Sequence, residues 1–221
     1  MTTIILTTIV NLGKTKLGAR ELGHSKAEKA LSRERILTAA STRIRETGLE
    51  SITVGDLMKS VNLTHGGFYG HFESRSDLVA AALERALADG EQASAMHTGK
   101  PEAATVKSIV NSYLSPAHRD HPGTGCAISA VAGEVSRADR QVRAIMMNQL
   151  ERSIEVIASA IGVPKFAEQF AEAAWATMLG AITMSRIFAG DKRADQILTS
   201  ARRAILDLEA LYKAKAENEA G

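Results

Sequence analysis

From Ile36 onward, apolar residues recur at three- and four-residue intervals, with Ile36, Leu37, Ala40 and Ile44 on one stripe. That period belongs to an amphipathic helix. Ser32 can cap it and Gly48 can end it, so the pattern predicts a helix over residues 32–47. Thr53-Val54-Gly55-Asp56 has capping-box spacing, with Asp in the acceptor role, and opens a short second helix that turns Leu57 and Met58 inward. Val61-Asn62-Leu63 makes a tight turn, Asn62 being suited to a positive φ. Thr64 caps a third helix over residues 65–71. Its Gly66 and Gly67 cost roughly 1 kcal/mol each relative to Ala, so something other than helix propensity must account for them.

Ser74-Arg75-Ser76-Asp77 repeats the capping spacing and opens a long helix through Leu78, Val79, Ala82, Leu83, Ala86 and Leu87, which ends between Gly90 and Gly99. Helical periodicity continues over 102–114, 126–135, 139–161, 166–188 and 194–213. Pro116, Gly162, Pro164 and Gly190 supply stops, and a polar tail follows. No internal repeat is present, and no strand pattern stands out beyond the apolar run Ile4 to Val10. The expected fold class is all-α, with an N-terminal three-helix helix-turn-helix and a larger helical part. The expected divisions are an extension over 1–27, poorly ordered, a DNA-binding domain over 28–75 and a ligand-binding and dimerisation domain over 76–221.

Composition narrows the function. With 45% hydrophobic and 24% charged residues the chain reads as a globular protein, not a disordered one. The net charge of +2 is unevenly spread: residues 1–75 hold 11 basic against 7 acidic side chains, the remainder 16 against 18. The basic excess lies where a polyanion would bind, and Lys14, Lys16, Arg20 and Lys26 could make the extension a DNA-reaching arm. The single cysteine, Cys126, excludes an intramolecular disulfide framework and suits a cytoplasmic setting. The Ile4–Val10 run falls far short of the roughly 20 residues a membrane span needs, and no basic region of a signal peptide precedes it.

Three short helices followed at once by a long one, with a tight turn before the third, is the organisation of a helix-turn-helix. Its second helix enters the major groove. The leading end of that helix brings backbone N–H groups and a positive dipole toward phosphate. Glycines at positions 66 and 67 let the backbone approach closely. The stretch Ile52-Thr53-Val54, then Val61-Asn62-Leu63-Thr64-His65-Gly66-Gly67-Phe68-Tyr69-Gly70-His71-Phe72-Glu73-Ser74-Arg75, then Leu78 resembles the signature of the TetR family of transcriptional regulators. The match spans about 50 residues, 32–83. It departs at Asn62, where the family has Gly, and at Arg75, where it has Lys, which keeps the charge but not the hydrogen-bond shape. The resemblance implies that Thr53, Tyr69 and Arg75 contact phosphates while Thr64, His65 and Gly67 lie against base edges. Phosphate contacts give affinity and salt dependence, base contacts give sequence choice.

The resemblance also implies a helical body with an inducer pocket and a homodimer interface through the last two helices, and a repressor released from a palindromic operator by a small molecule. The long helix after Arg75 would be the lever between the two parts. Candidate pocket residues are Tyr113, Cys126, Met146, Met147, Leu150, Trp175 and Met178, an apolar set with few polar anchors. Cys126 stands at a helix start, where a thiol pKa can fall. Relatives with a similar Gly-Cys respond to electrophiles or oxidants, so modification of Cys126 is a second route to release, against the alternative of a buried small hydrophobe. Three rival classes stay open: an enzyme using Cys126 with His118 or His121 and Glu134 to orient them; a metal sensor on His118, His121 and Cys126, although the spacing is not that of a structural zinc site; and an architectural DNA-binding protein without an inducer. Neither a cofactor nor a resident metal is expected.

Overall fold

The computed structural model describes residues 6–98 and 104–220, with side chains over 26–94 and 104–219. The described residues form nine α-helices: α1 (Leu6–Thr47), α2 (Val54–Ser60), α3 (Arg75–Thr98), α4 (Val106–Tyr113), α5 (Pro116–Asp120), α6 (Ala127–Val135), α7 (Arg140–Ile161), α8 (Ala167–Ile187) and α9 (Lys192–Ala220). The expected third helix is instead a 3₁₀ segment, His65–Gly70. Two glycines in its first turn weaken the α-helical alternative, and a six-residue segment gains little from longer-range α bonds.

Several boundaries move. α1 does not begin at Ser32 but runs through it from Leu6, so residues 6–27 of the expected extension are helical. Ser32 accepts a side-chain bond from Arg35 at 3.2 Å rather than capping the helix. Ala27 to Leu31 are good helix formers, and nothing there stops a helix that Ser32 was expected to start. Pro116 opens a helix as well as ending one: Ser115 accepts from the His118 N–H at 3.2 Å, and proline at the first helical position leaves no bond unmade. α9 extends well past Lys213, because its polar tail consists of residues that form helices readily.

The caps elsewhere follow the sequence. Thr53, Thr64 and Asp139 each accept a backbone N–H at their helix starts. Asn62 adopts φ 57°, and Gly162 and Gly190 take positive φ where helices end.

Phe68 and Phe72 stack at 5.7 Å and join Ile36, Ile44, Leu57, Met58 and Leu78 in a small core between α1, α2 and α3. That core is continuous with the apolar interior of the larger part. There α7 packs on α8, and α8 on α9. Arg45 of α1 is 5% exposed and ties the two regions together. Its Nε donates to Gly123 O at 2.5 Å, and its Nη1 to Ala86 O at 3.2 Å and the Asp89 carboxylate at 3.3 Å. A buried guanidinium needs this many acceptors to offset its desolvation. No helix among the described residues is long and apolar enough to cross a membrane.

Candidate nucleic-acid interface and effector cluster

The helix-turn-helix places Thr53, Thr64, His65, Gly67 and Tyr69 on the exposed surface. The Thr53 hydroxyl accepts the Asp56 N–H at 3.3 Å and donates to the Asp56 carboxylate at 2.6 Å. The box is therefore closed hydroxyl-to-carboxylate, since Asp is one methylene shorter than the usual Glu. Thr64 Oγ1 accepts the Gly67 N–H at 3.3 Å. Tyr69 is 69% exposed, with its ring edge-on to Phe68 at 5.2 Å, so a buried neighbour holds a side chain whose hydroxyl end is outside.

The glycines of this segment have no internal justification. None of Gly66, Gly67 and Gly70 has positive φ. A Cβ at Gly66 or Gly70 would meet nothing within 4 Å, and at Gly67 only Thr64 Oγ1 at 3.4 Å and Met58 Cε at 3.8 Å. The fold would accept side chains here, so their absence suits an approach from outside the molecule.

Arg75, 42% exposed, also makes bonds within the chain. Its Nε donates to Ile52 O at 2.7 Å and its Nη2 to Leu49 O at 3.1 Å, with Glu50 O and the Glu50 carboxylate at 3.4 Å. It clamps the loop that leads into Thr53. His71 Nδ1 is buried without a partner, and burial with Lys29 and Arg33 nearby holds this imidazole below the ordinary histidine range.

The candidate pocket residues do not all meet. Met146, Trp175 and Met178 are buried, and Leu150 packs partly buried against the core. Met147 is 54% exposed and points away from the interior, because it follows inward-facing Met146 by one residue, about 100° around α7. Tyr113 and Trp175 come together edge-to-face at 5.1 Å, and Tyr113 meets His118 at 4.5 Å. His118 Nδ1 lies 2.7 Å from Tyr113 O, and its Nε2 accepts the Cys126 N–H at 3.1 Å. The carbonyl can only accept, so Nδ1 carries the proton and the ring is neutral. Gly125 makes this possible, since a Cβ there would lie 2.9 Å from the His118 ring. Burial first, then Arg186, depress the His118 pKa, although its bond to Tyr113 O opposes them.

Part of Cys126 reaches the surface, yet the atoms around its thiol desolvate it and push its pKa up. Burial thus outweighs the helix-start position in setting that direction. Sequence reasoning missed Arg186. Its Nη2 and Nε donate to His118 O at 3.2 Å and Arg119 O at 3.3 Å, and its Nη1 to Ser129 Oγ at 3.1 Å. The available signal was its place one turn beyond Ile182 on the buried face of α8.

The rival constellations come apart. Glu134 lies at the far end of α6 from Cys126, about 12 Å along a helix at 1.5 Å per residue. There it accepts the Leu49 N–H at 2.8 Å. Both His118 nitrogens are engaged, and His121 turns its Nδ1 to Ala117 O at 3.0 Å.

Among the described residues, an exposed helix-turn-helix therefore stands on a helical body that holds a polar cluster. Residues 36–82 match the model of bacterial regulatory proteins of the tetR family, so that stretch is a DNA-binding domain of the TetR type. No curated protein matches it. Solved structures share the fold across most of the chain. The TetR-family regulator from Cytophaga hutchinsonii is 19% identical at a TM-score of 0.69, covering 81% of this chain and 96% of that one. Escherichia coli NemR in its reduced form is 21% identical at 0.65, with 79% and 94% covered. A putative transcriptional regulator from Saccharomonospora viridis in complex with choline is 18% identical at 0.60, with 80% and 95% covered. The family consists of transcription factors, not enzymes.

Proposed function

We propose that this protein is a cytoplasmic, homodimeric repressor that leaves a palindromic operator when a small molecule occupies its helical body. The observation that carries the DNA half is the 3₁₀ segment His65–Gly70, exposed and stripped of side chains at Gly66, Gly67 and Gly70 without any internal need. In this reading Thr64, His65 and Gly67 face base edges, and Tyr69 and Thr53 meet phosphates. Arg75 fixes the Leu49 and Ile52 carbonyls, and so the position of Thr53, while its exposed part meets phosphate. Residues 28–75 form the DNA-binding unit and 76–221 the ligand and dimer unit, with α3 common to both.

The dimer uses α8 and α9. An open, mainly apolar groove lies between them, lined by Ala176, Gly180, Ala181, Met184, Ile197 and Ala201. Met184 is 51% and Leu211 62% exposed in the single chain. Small residues beside exposed large ones suit a four-helix contact between two copies.

Release follows from linkage: a ligand that favours a conformer with a different separation of the two reading segments lowers operator affinity. Modification of Cys126, which is partly exposed, is the second route to release. Selection of bound fragments from random duplex DNA tests the reading. Two inverted half-sites with centres about one helical turn or a related distance apart are expected. Enrichment of no sequence, or of a single asymmetric site, would refute it.

A further inference from the structure

Arg186 is a part-buried cation whose recorded partners are all neutral oxygens: two backbone carbonyls and the Ser129 hydroxyl. No carboxylate among the described residues pairs with it. Buried charges are ordinarily paired, and a guanidinium–carboxylate bond is about twice as strong as one between neutral groups. Two buried donors belong to the same cluster. The Tyr113 hydroxyl lies beside Cys126 and Ser129, and the Trp175 ring, 8% exposed, lies against Tyr113. The Trp175 Nε1–H has no hydrogen-bond partner, and the Tyr113 hydroxyl has only the Cys126 and Ser129 side chains beside it, neither in good hydrogen-bond geometry. Leaving such a group unpaired in the interior is costly. The cluster thus holds one positive charge without a carboxylate, one idle donor on Trp175 and one poorly satisfied hydroxyl on Tyr113.

We propose that this cluster binds a small organic monocarboxylate, its carboxylate on Arg186 and the Tyr113 hydroxyl. The hydrocarbon part lies toward the buried Met178 and Ile182. Trp175, Met178, Ile182 and Arg186 fall on one face of α8 at helical spacing. The site holds a single cation, since His118 is neutral and offers Nε2 only as an acceptor. A dianion such as phosphate would bring a second charge with no counterpart. The Cys126 N–H at the start of α6 is already taken by His118, so that helix end adds nothing for an anion. The inference rests on reading the helical body as the effector-binding part. It also supplies a coupling: the guanidinium that would hold the ligand now ties α8 to α5 and, through Ser129, to α6. Ligand and ties compete for it.

Trp175 is the only tryptophan, so its fluorescence reports this site in the intact protein. Benzoate, phenylacetate and hexanoate are titrated, each against its primary amide. At least one acid should give a saturable change with at least tenfold higher affinity than its amide. Arg186→Met should lose that binding tenfold or more, Arg186→Lys should retain part of it, and Tyr113→Phe should weaken it severalfold. Inorganic phosphate should not compete. Equal binding of acid and amide, no binding by any of the acids, displacement by phosphate, or undiminished binding by Arg186→Met would each overturn the proposal. If Arg186→Met fails to fold, the acid-to-amide ratio and Tyr113→Phe decide. Operator binding without ligand is measured separately, so failure of the carboxylate site leaves the DNA reading standing, and the reverse.

Discussion

At the scale of single residues, the most informative positions carry no side chain. Gly66 sits in a segment that would accept a Cβ, so Gly66→Ala should keep or raise thermal stability, by up to about 1 kcal/mol. The same change should lower operator affinity about tenfold by holding the backbone off the groove. A thermal melt beside a duplex titration checks this, and an alanine variant that binds DNA as well as the parent would show that close approach is not needed. Thr53, Thr64 and the Asn62 turn were legible in the sequence because capping and positive φ are local properties. The inward bonds of Arg75 were not, since its acceptors lie 23 to 26 residues away on a loop whose course is set by packing. Met147 is similar: side-chain type marked it as a pocket candidate, and rotation along α7 leaves it 54% exposed in the single chain.

At the scale of elements, α6 spans the gap between the effector cluster and the DNA-binding part. Cys126 and Ser129 stand at its start. Near its end, Glu134 accepts the Leu49 N–H at 2.8 Å. Gly48 takes φ 89°, and a Cβ on it would lie 2.3 Å from Glu134 Oε1, so the fit at this joint requires glycine. Removing the carboxylate with Glu134→Ala leaves a part-buried N–H unpaired. It should cost about 1–2 kcal/mol in denaturant unfolding. It should also weaken the coupling between effector and operator while leaving Trp175 fluorescence titrations unchanged. An effector response as large as the parent's would show that α6 does not transmit through this contact. The helices themselves were readable from apolar period and caps. The end of α1 that precedes Ser32, the short α5 and the 3₁₀ form of the reading segment were not, because each depends on balance between near-equal local conformations.

At the scale of the whole molecule, assembly and acid sensitivity follow from the same packing. The α8–α9 surface should hold two copies together, so light scattering should give twice the 23.6 kDa chain mass at micromolar concentration. A chain-mass particle there would contradict the dimer. His71 and His118 are both held below the ordinary histidine value when folded, mainly by burial. Between that depressed value and the unfolded value of about 6.5, the unfolded chain binds more protons. Their contribution to stability is therefore complete above the unfolded value and is lost as the pH falls through the depressed folded one. Protonation of His118 would also set two donors against each other at the Cys126 N–H. The melting temperature should drop between pH 7.5 and 5.5, and His118→Gln should reduce that drop. A flat profile would show that neither imidazole is held neutral by the fold. The all-helical architecture and the DNA-binding unit were visible in sequence because local patterns carry them. Arg186 was not, because its significance lies in which groups fail to pair with it.

Everything rests on the 3₁₀ segment His65–Gly70 reading a duplex groove. The most direct measurement is a competition titration at moderate ionic strength, with the selected inverted-repeat duplex labelled and a scrambled duplex of equal length as competitor. The account predicts a preference of at least a thousandfold for the inverted repeat, with affinity for both falling steeply as salt rises. Equal affinity for the two duplexes would contradict it.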